Sequence, residues 1–337
     1  MLYVTTRNCQ DAVTVQHVLN GARGKDNGLY LPLHFPTLSE KDLERLSGMS
    51  FNQCVAEMLN LFFSTRLTGW DVDFCIGRYP VRMENLPYRT VMAELWHNPQ
   101  WQYGRLEQNL CQLLGCETKD SANWPVIAVR MSVLAGILCE HMEAGEGTVD
   151  IASVSGDFSV PVSAWFLKKM GFPVGNIICC CNENKQIWDL LCHGQMRTDD
   201  VVISTAVPEA DIVLPVNLER LIFVCGGQEE TSRYLDACDS SGIYMISDDL
   251  RSELCGGLYV SVVSSGRVEN AIPNVYNSYQ YLMTPATALA YSGLMDYRSK
   301  TGITRTAVVV CDNSPGSEAE TVANIMSIPA ETIRKMF

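Results

Sequence analysis

No stretch of the chain reads as a membrane span, because its longest apolar runs are interrupted by polar residues or glycine. A basic surplus is missing too. The formal net charge is −13 over 337 residues, which leaves no cationic surface to release the counterions of a nucleic acid. The opening MLYVTTRNCQ has neither the basic nor the apolar region of a secretory signal, so a cytoplasmic location is expected. Fourteen cysteines are present without regular CxxC spacing, which argues against both a disulfide framework and a zinc site. Cys179-Cys180-Cys181 falls in a predicted strand whose alternate side chains face opposite ways, so these read as small buried hydrophobes. Cys192-His193 is the one Cys–His neighbour pair, too little for a metal. Internal repeats and low-complexity linkers are likewise missing. What remains is an ordinary globular composition, long enough for one large or two moderate domains.

The most legible stretch is 148–194. Val149, Ile151 and Val154 make a β-prone run that Gly156 breaks in a polar loop. Pro161 falls where a first helical turn tolerates it, and Ala164, Phe166, Leu167 and Met170 follow at helical spacing. Gly171 and Pro173 stop that helix, 177–181 is short enough for a buried strand, and Asn182 or Asn184 is placed to cap the next helix, which Gly194 ends. This is a βαβ unit with a glycine turn at the carboxyl end of its first strand, where open α/β sheets bind ligands.

Elsewhere the pattern predicts a β-prone start at 2–7, an amphipathic helix over 10–20, and helices capped by Ser39 and Ser50. Residues 70–89 lack clear periodicity and read as a crossing loop with short helices. A long apolar helix is expected over 126–142, another after Asn217 that closes at Gly226-Gly227, and a buried strand over 306–310. Closing helices follow over 318–326 and 329–337. Thr287 is expected to cap the helix over 288–297.

Four segments carry a family resemblance. Ser155-Gly156-Asp157-Phe158-Ser159, followed by Lys168-Lys169-Met170-Gly171-Phe172-Pro173 and Asn182-Glu183-Asn184, resembles the phosphate loop, helix and TNEN segment of threonine synthases. Glu94-Leu95-Trp96-His97-Asn98-Pro99 resembles the ELFHGPT segment that leads to their cofactor-binding lysine. Asn217-Leu218-Glu219-Arg220-Leu221 resembles SNFERLLF, and Thr284-Pro285-Ala286-Thr287-Ala288 resembles DPHTA. These are fold type II pyridoxal-phosphate enzymes. The resemblance implies an open, mostly parallel α/β sheet with flanking helices of the tryptophan-synthase-β-like type, plus an N-terminal α+β subdomain. It divides the chain into an N-terminal subdomain over 1–90 and the α/β domain over 91–337. The small lobe carrying an SGDTG motif looks largely deleted, because residues 110–115 lead almost at once into Ser121-Ala122-Asn123-Trp124.

Departures fall where the family touches its cofactor. Gly104 stands at the Schiff-base lysine position and Arg105 at the following aspartate. Glycine supplies neither the imine nor the later proton transfer, and arginine stays protonated. In the loop, Asp157, Ser159 and Val160 replace asparagine, glycine and asparagine, and an aspartate there repels a phosphate. Thr284 and Ala286 replace the aspartate and histidine of DPHTA. The expectation is a pseudoenzyme with no bound cofactor, no catalytic residue, and a vestigial site at His97, Ser155, Gly156, Asp157, Phe158, Ser159 and Thr287. It would bind a small anion or a protein, such as a second copy or an intact threonine synthase. Trp96, Trp101, Tyr103 and Trp124 are the residues the lost lobe would uncover. The alternative is a pyridoxal-phosphate-dependent threonine synthase converting O-phosphohomoserine to threonine and phosphate, with Lys119 or Lys168 as the amine.

Overall fold

The computed structural model describes residues 1–97, 105–116, 120–145 and 147–337. Near the N-terminus, β1 (Leu2–Thr5) lies between β2 (Val13–Thr14) and β3 (Tyr30–Pro32) in an antiparallel sheet. The helix expected over 10–20 shrinks to α1 (Val15–Asn20), because Val13 pairs with Tyr3. Next come α2 (Glu40–Ser47), α3 (Phe51–Phe63) and α4 (Gly69–Ile76). Each opens on a reciprocal capping box, at Ser39, Ser50 and Thr68, so two first-turn amides are satisfied before any tertiary contact forms.

The main sheet is built from β4 (Arg82–Leu86), β5 (Thr90–Glu94), β6 (Val149–Val154), β7 (Val174–Cys181), β10 (Leu258–Val262) and β11 (Ala307–Cys311). Its order is β10-β7-β6-β11-β5-β4; all neighbours are parallel except the edge strand β4. Edge strand β4 was not legible in the sequence. One edge is unpaired and its residues are mostly polar, so no apolar alternation marks it. By contrast β5 and β11 are buried along their whole length; β11 is apolar throughout, and β5 is apolar between Thr90 and Glu94. A short pair, β8 (Gln195–Arg197) and β9 (Ile243–Met245), stands apart.

Helices cover both faces. On one side lie α5 (Arg105–Leu113), α6 (Trp124–Glu143) and α7 (Ser159–Met170), then α8 (Gln186–His193), α9 (Leu218–Asp236) and α10 (Asp248–Cys255). On the other are α11 (Ser265–Tyr279), α12 (Pro285–Thr301), α13 (Ala319–Met326) and α14 (Ala330–Met336). Only residues 114–123 join α5 to α6. By length and composition α6 could cross a bilayer, contrary to the expectation that no run approaches that length, yet 78% of its most apolar window is buried inside the protein. It is the core helix. Trp124 at its start is fully buried among Tyr3, Phe35, Phe62 and Phe166, so it is not the exposed aromatic expected from the sequence.

Other details differ for local reasons. Gly171 ends α7 at φ +107°, and a Cβ there would meet the Leu38 carbonyl at 3.1 Å, so the expected stop holds. Asn182 and Asn184 do not cap α8, which begins after Lys185. Their amides instead reach Thr205, Asp211 and the Ile203 carbonyl, and fix the following loop. Thr287 is not the cap of α12. Pro285 occupies the first helical position, so the cap is one residue earlier, and the Thr284 hydroxyl accepts from the Thr287 amide. In α9 the helix breaks at Gly227, φ +75°, as the paired glycines suggested.

Arg220 joins the parts. Fully buried at the start of α9, it donates to the carbonyls of Tyr30 (3.0 Å), Ser121 (2.9 Å) and Ala122 (2.7 Å), and to Asn217 Oδ1. Burial pushes its pKa down to about 9, which leaves it charged at neutral pH. Replacing it with methionine strands four buried oxygens. The Arg220→Met variant is expected to lose roughly 3–5 kcal/mol of stability in urea unfolding. A loss below about 1 kcal/mol contradicts this role.

Candidate functional site

The carboxyl ends of five parallel strands open on one edge of the sheet, and the loops that leave them meet there. After β6 the chain turns tightly. Ser155 N–H donates to the Cys180 carbonyl and Phe158 N–H to the Ser155 carbonyl, both at 2.8 Å. Gly156 sits at φ +45° with the Glu209 carbonyl 3.0 Å from where a Cβ would lie, so the turn needs glycine. Phe158 is left-handed, φ +68°, and its ring is fully buried. Ser155 and Ser159 are also buried.

The helix α7 that follows presents its positive end to this loop. Its Ser159 N–H donates to Asp157 Oδ1 at 2.9 Å. Pro161 has no N–H, and Val162 N–H returns to the Phe158 carbonyl. The chain's own carboxylate therefore accepts from the first amide of α7. The Asp157 carbonyl in turn accepts from Asn217 N–H (3.2 Å) and Nδ2 (3.1 Å), which locks the loop to α9.

Around it lies a charge cluster that sequence reasoning missed. Arg130 on α6 pairs with Glu107 on α5 (2.5 Å) and Asp312 beyond β11 (2.6 Å), with Asp157 close enough to act on both. Burial, with Asp312 and Asp157 adding repulsion, pushes Glu107 up to about 7 despite the guanidinium. The carboxylates raise Arg130 further above its ordinary value, outweighing its burial. A lone arginine in the mostly apolar 124–139 stretch of α6 was the available signal. Beside the cluster, Asn313 Nδ2 donates to Glu209 (2.6 Å) and Glu318 (2.7 Å), linking the end of β11 to the Gly156 turn.

The other expected residues lie on the β5–β11 side. His97 Nδ1 is 3.4 Å from Glu94 Oε2, and burial lowers its pKa. Thr287 is buried, accepts from the Thr284 hydroxyl at 3.1 Å, and hydrogen-bonds the Cys311 thiol. Gly104, Trp101, Tyr103, Asn98, Pro99 and Lys119 lie outside the described residues. Among the described residues no group of three or more His, Cys, Asp or Glu is placed to hold a metal.

Residues 2–78 match the family model described as the threonine synthase N terminus. The chain is similar to threonine synthase-like 1 of Homo sapiens, 22% identical over 286 residues, covering 80% of this chain and 36% of that protein. It thus spans little more than a third of the length of those curated relatives. Threonine synthase of Pseudomonas aeruginosa is 24% identical over 213 residues, covering 63% of this chain and 45% of that protein. Among solved structures, pyridoxal-phosphate-bound threonine synthase from Brucella melitensis superposes with a TM-score of 0.83 at 17% identity, over 96% of this chain and 91% of that one. The yeast threonine synthase gives 0.84 at 15%, over 97% and 90%. At such identities the structural likeness is one of fold.

The cluster gives stability a pH dependence. A carboxyl whose folded pKa is about 7 holds a proton that the unfolded chain, with its ordinary value near 4.5, has released. Stability from Glu107 is therefore full below that ordinary value and falls as pH rises towards 7. Glu318, raised to about 7 by burial, acts in the same sense. Urea unfolding is expected to show roughly 1–3 kcal/mol less stability at pH 8 than at pH 5. The loss should be shallower in Glu107→Gln, and an unchanged slope in that variant counts against the assignment.

Proposed function

Taking as premise that the chain belongs to the threonine synthase family of fold type II, we propose that it is a member without pyridoxal-phosphate catalysis, acting as a binding protein. The observation that carries this is the Asp157 carboxylate on the Ser159 amide at the start of α7. A cofactor phosphate, with nearly two negative charges, would have to displace a carboxylate already hydrogen-bonded there and would remain close to its charge. The residues present in this loop do not fit the phosphate of pyridoxal phosphate.

The amine points the same way. Gly104 stands where the resemblance requires lysine. Lys168, considered as a substitute, donates Nζ to the Gly175 carbonyl at 2.6 Å, near the start of β7 and at the opposite end of that strand from the loops. Lys169 is paired with Glu253 at 2.8 Å. Covalent catalysis needs a positioned nucleophile, and these two are held elsewhere.

Binding of a protein is favoured over a small anion, because the anion position carries its own carboxylate. Trp70, Phe74 and Tyr79, on α4 and its exit, are 82%, 95% and 80% exposed, a concentration of aromatic surface of the kind that marks interfaces. A second copy of the chain or an intact threonine synthase is the partner proposed. The other reading, retained threonine synthase activity on O-phosphohomoserine, draws on the names of the relatives.

Incubating the purified protein with pyridoxal phosphate and dialysing it separates the two. No internal-aldimine absorbance band should survive, and expression should not rescue a threonine auxotroph. A persistent band together with rescue establishes the enzyme reading.

A further inference from the structure

A cleft of about 340 Å³ lies between edge strand β4 and the connection from α11 to α12. It is on the sheet face covered by α11 and α12, at the β4 edge of the sheet, and its chemistry is independent of whether the chain is catalytic. Tyr276, Tyr279 and Tyr281 supply one wall, with Leu86 and Phe337 on other sides. At its floor is Glu94, the last residue of β5, only 3% exposed.

Glu94 is an unusual floor for such a cleft. The Tyr281 hydroxyl hydrogen-bonds its carboxyl group. Its Oε2, however, is buried with no hydrogen-bond partner among the described residues. His97 Nδ1 lies 3.4 Å from that oxygen without making an aligned hydrogen bond. Burial raises the Glu94 pKa, as expected of a carboxylate short of donors. Buried polar atoms are nearly always satisfied, and an orphaned carboxylate oxygen on a residue that lines a cleft is a place for a missing donor.

The charges on the cleft wall define that donor. Arg82 sits opposite Glu94 in the β4–β5 register, but it is ion-paired with Glu84 on its own strand. Arg82 also acts on Glu94, but one arginine against two glutamates leaves the described lining with a net negative charge. Aromatic faces attract cations through their quadrupole, and the walls here are largely tyrosine.

We propose that this cleft binds a small organic cation, a primary ammonium carried on an aromatic or aliphatic body, with the ammonium donating to Glu94 Oε2. The three N–H donors of an ammonium suit a carboxylate oxygen and a phenol presented together, and the apolar body lies against the tyrosines and Leu86. An anionic ligand of the same shape meets the carboxylate and is rejected.

Phenethylamine is a suitable probe, with 3-phenylpropionate as the control of similar shape and opposite charge. Titration calorimetry on the whole chain should show saturable binding of phenethylamine below about 10 mM, and none of phenylpropionate. Glu94→Gln should weaken it at least tenfold while the circular dichroism melt remains cooperative. Should that variant fail to fold, Tyr279→Ala, which removes an exposed wall residue of the cleft, should weaken binding at least tenfold. The proposal is overturned by absent saturable binding in the wild type. It is overturned equally by unchanged affinity in Glu94→Gln or, where that variant does not fold, in Tyr279→Ala, or by phenylpropionate binding as tightly as the amine.

Discussion

The arrangement depends on a buried cation with no carboxylate in its hydrogen-bonding shell. Arg220 spends its donors on main-chain carbonyls from β3 and from the turn before α6, and on the amide oxygen of Asn217. Asn217 then passes the constraint on, donating to Ser121 Oγ and to the Asp157 carbonyl. One residue away, Glu219 takes Thr6 and Arg7 from the strand β1 exit. Three residues at the head of α9, Asn217, Glu219 and Arg220, thus fix the N-terminal sheet, the start of the core helix and the loop after β6 relative to one another. A guanidinium suits this position because its planar fork serves several carbonyls at once, where an ammonium would act as a point charge.

That loop is where family fold and local chemistry part. The turn geometry is kept: glycine at positive φ, a left-handed Phe158, and a helix whose amino end faces the sheet edge. The charge is reversed, since an acidic side chain now occupies the first free amide. Two carboxylates, Glu107 and Asp312, pair with a single Arg130 while Asp157 acts on both from nearby, and burial together with this excess negative charge pushes the Glu107 pKa up to about 7.

How much of this could be read from the sequence depends on contact range. Ser39 and Ser50 caps, the Gly171 stop and the short buried strands are local decisions, made by backbone geometry within a few residues, and they were legible. The Thr284 cap was equally local, and Pro285 marked it, but the family pattern drew attention to Thr287 instead. Arg130 and Asp312 are 182 residues apart, and nothing in either neighbourhood announces the other. Trp124 was misplaced for a similar reason. Its aromatic cage is assembled from Tyr3, Phe35, Phe62 and Phe166, so its burial is a property of the assembled core. Asp157 was legible as a repulsive charge, but that it hydrogen-bonds its own helix required coordinates.

Its hydrogen bond to the Ser159 amide bears on how the turn holds its shape. A loop that closes on a bound ligand draws part of its stability from that ligand, in proportion to the logarithm of its concentration over the dissociation constant. Supplying the negative group from the chain itself removes that dependence, because the carboxylate is present at an effective concentration no free ligand reaches. Selection for the fold alone favours such a substitution; selection for cofactor binding opposes it. Asp157 completes a turn that Gly156, Phe158 and Asn217 build, so that the turn is closed by groups the chain itself carries.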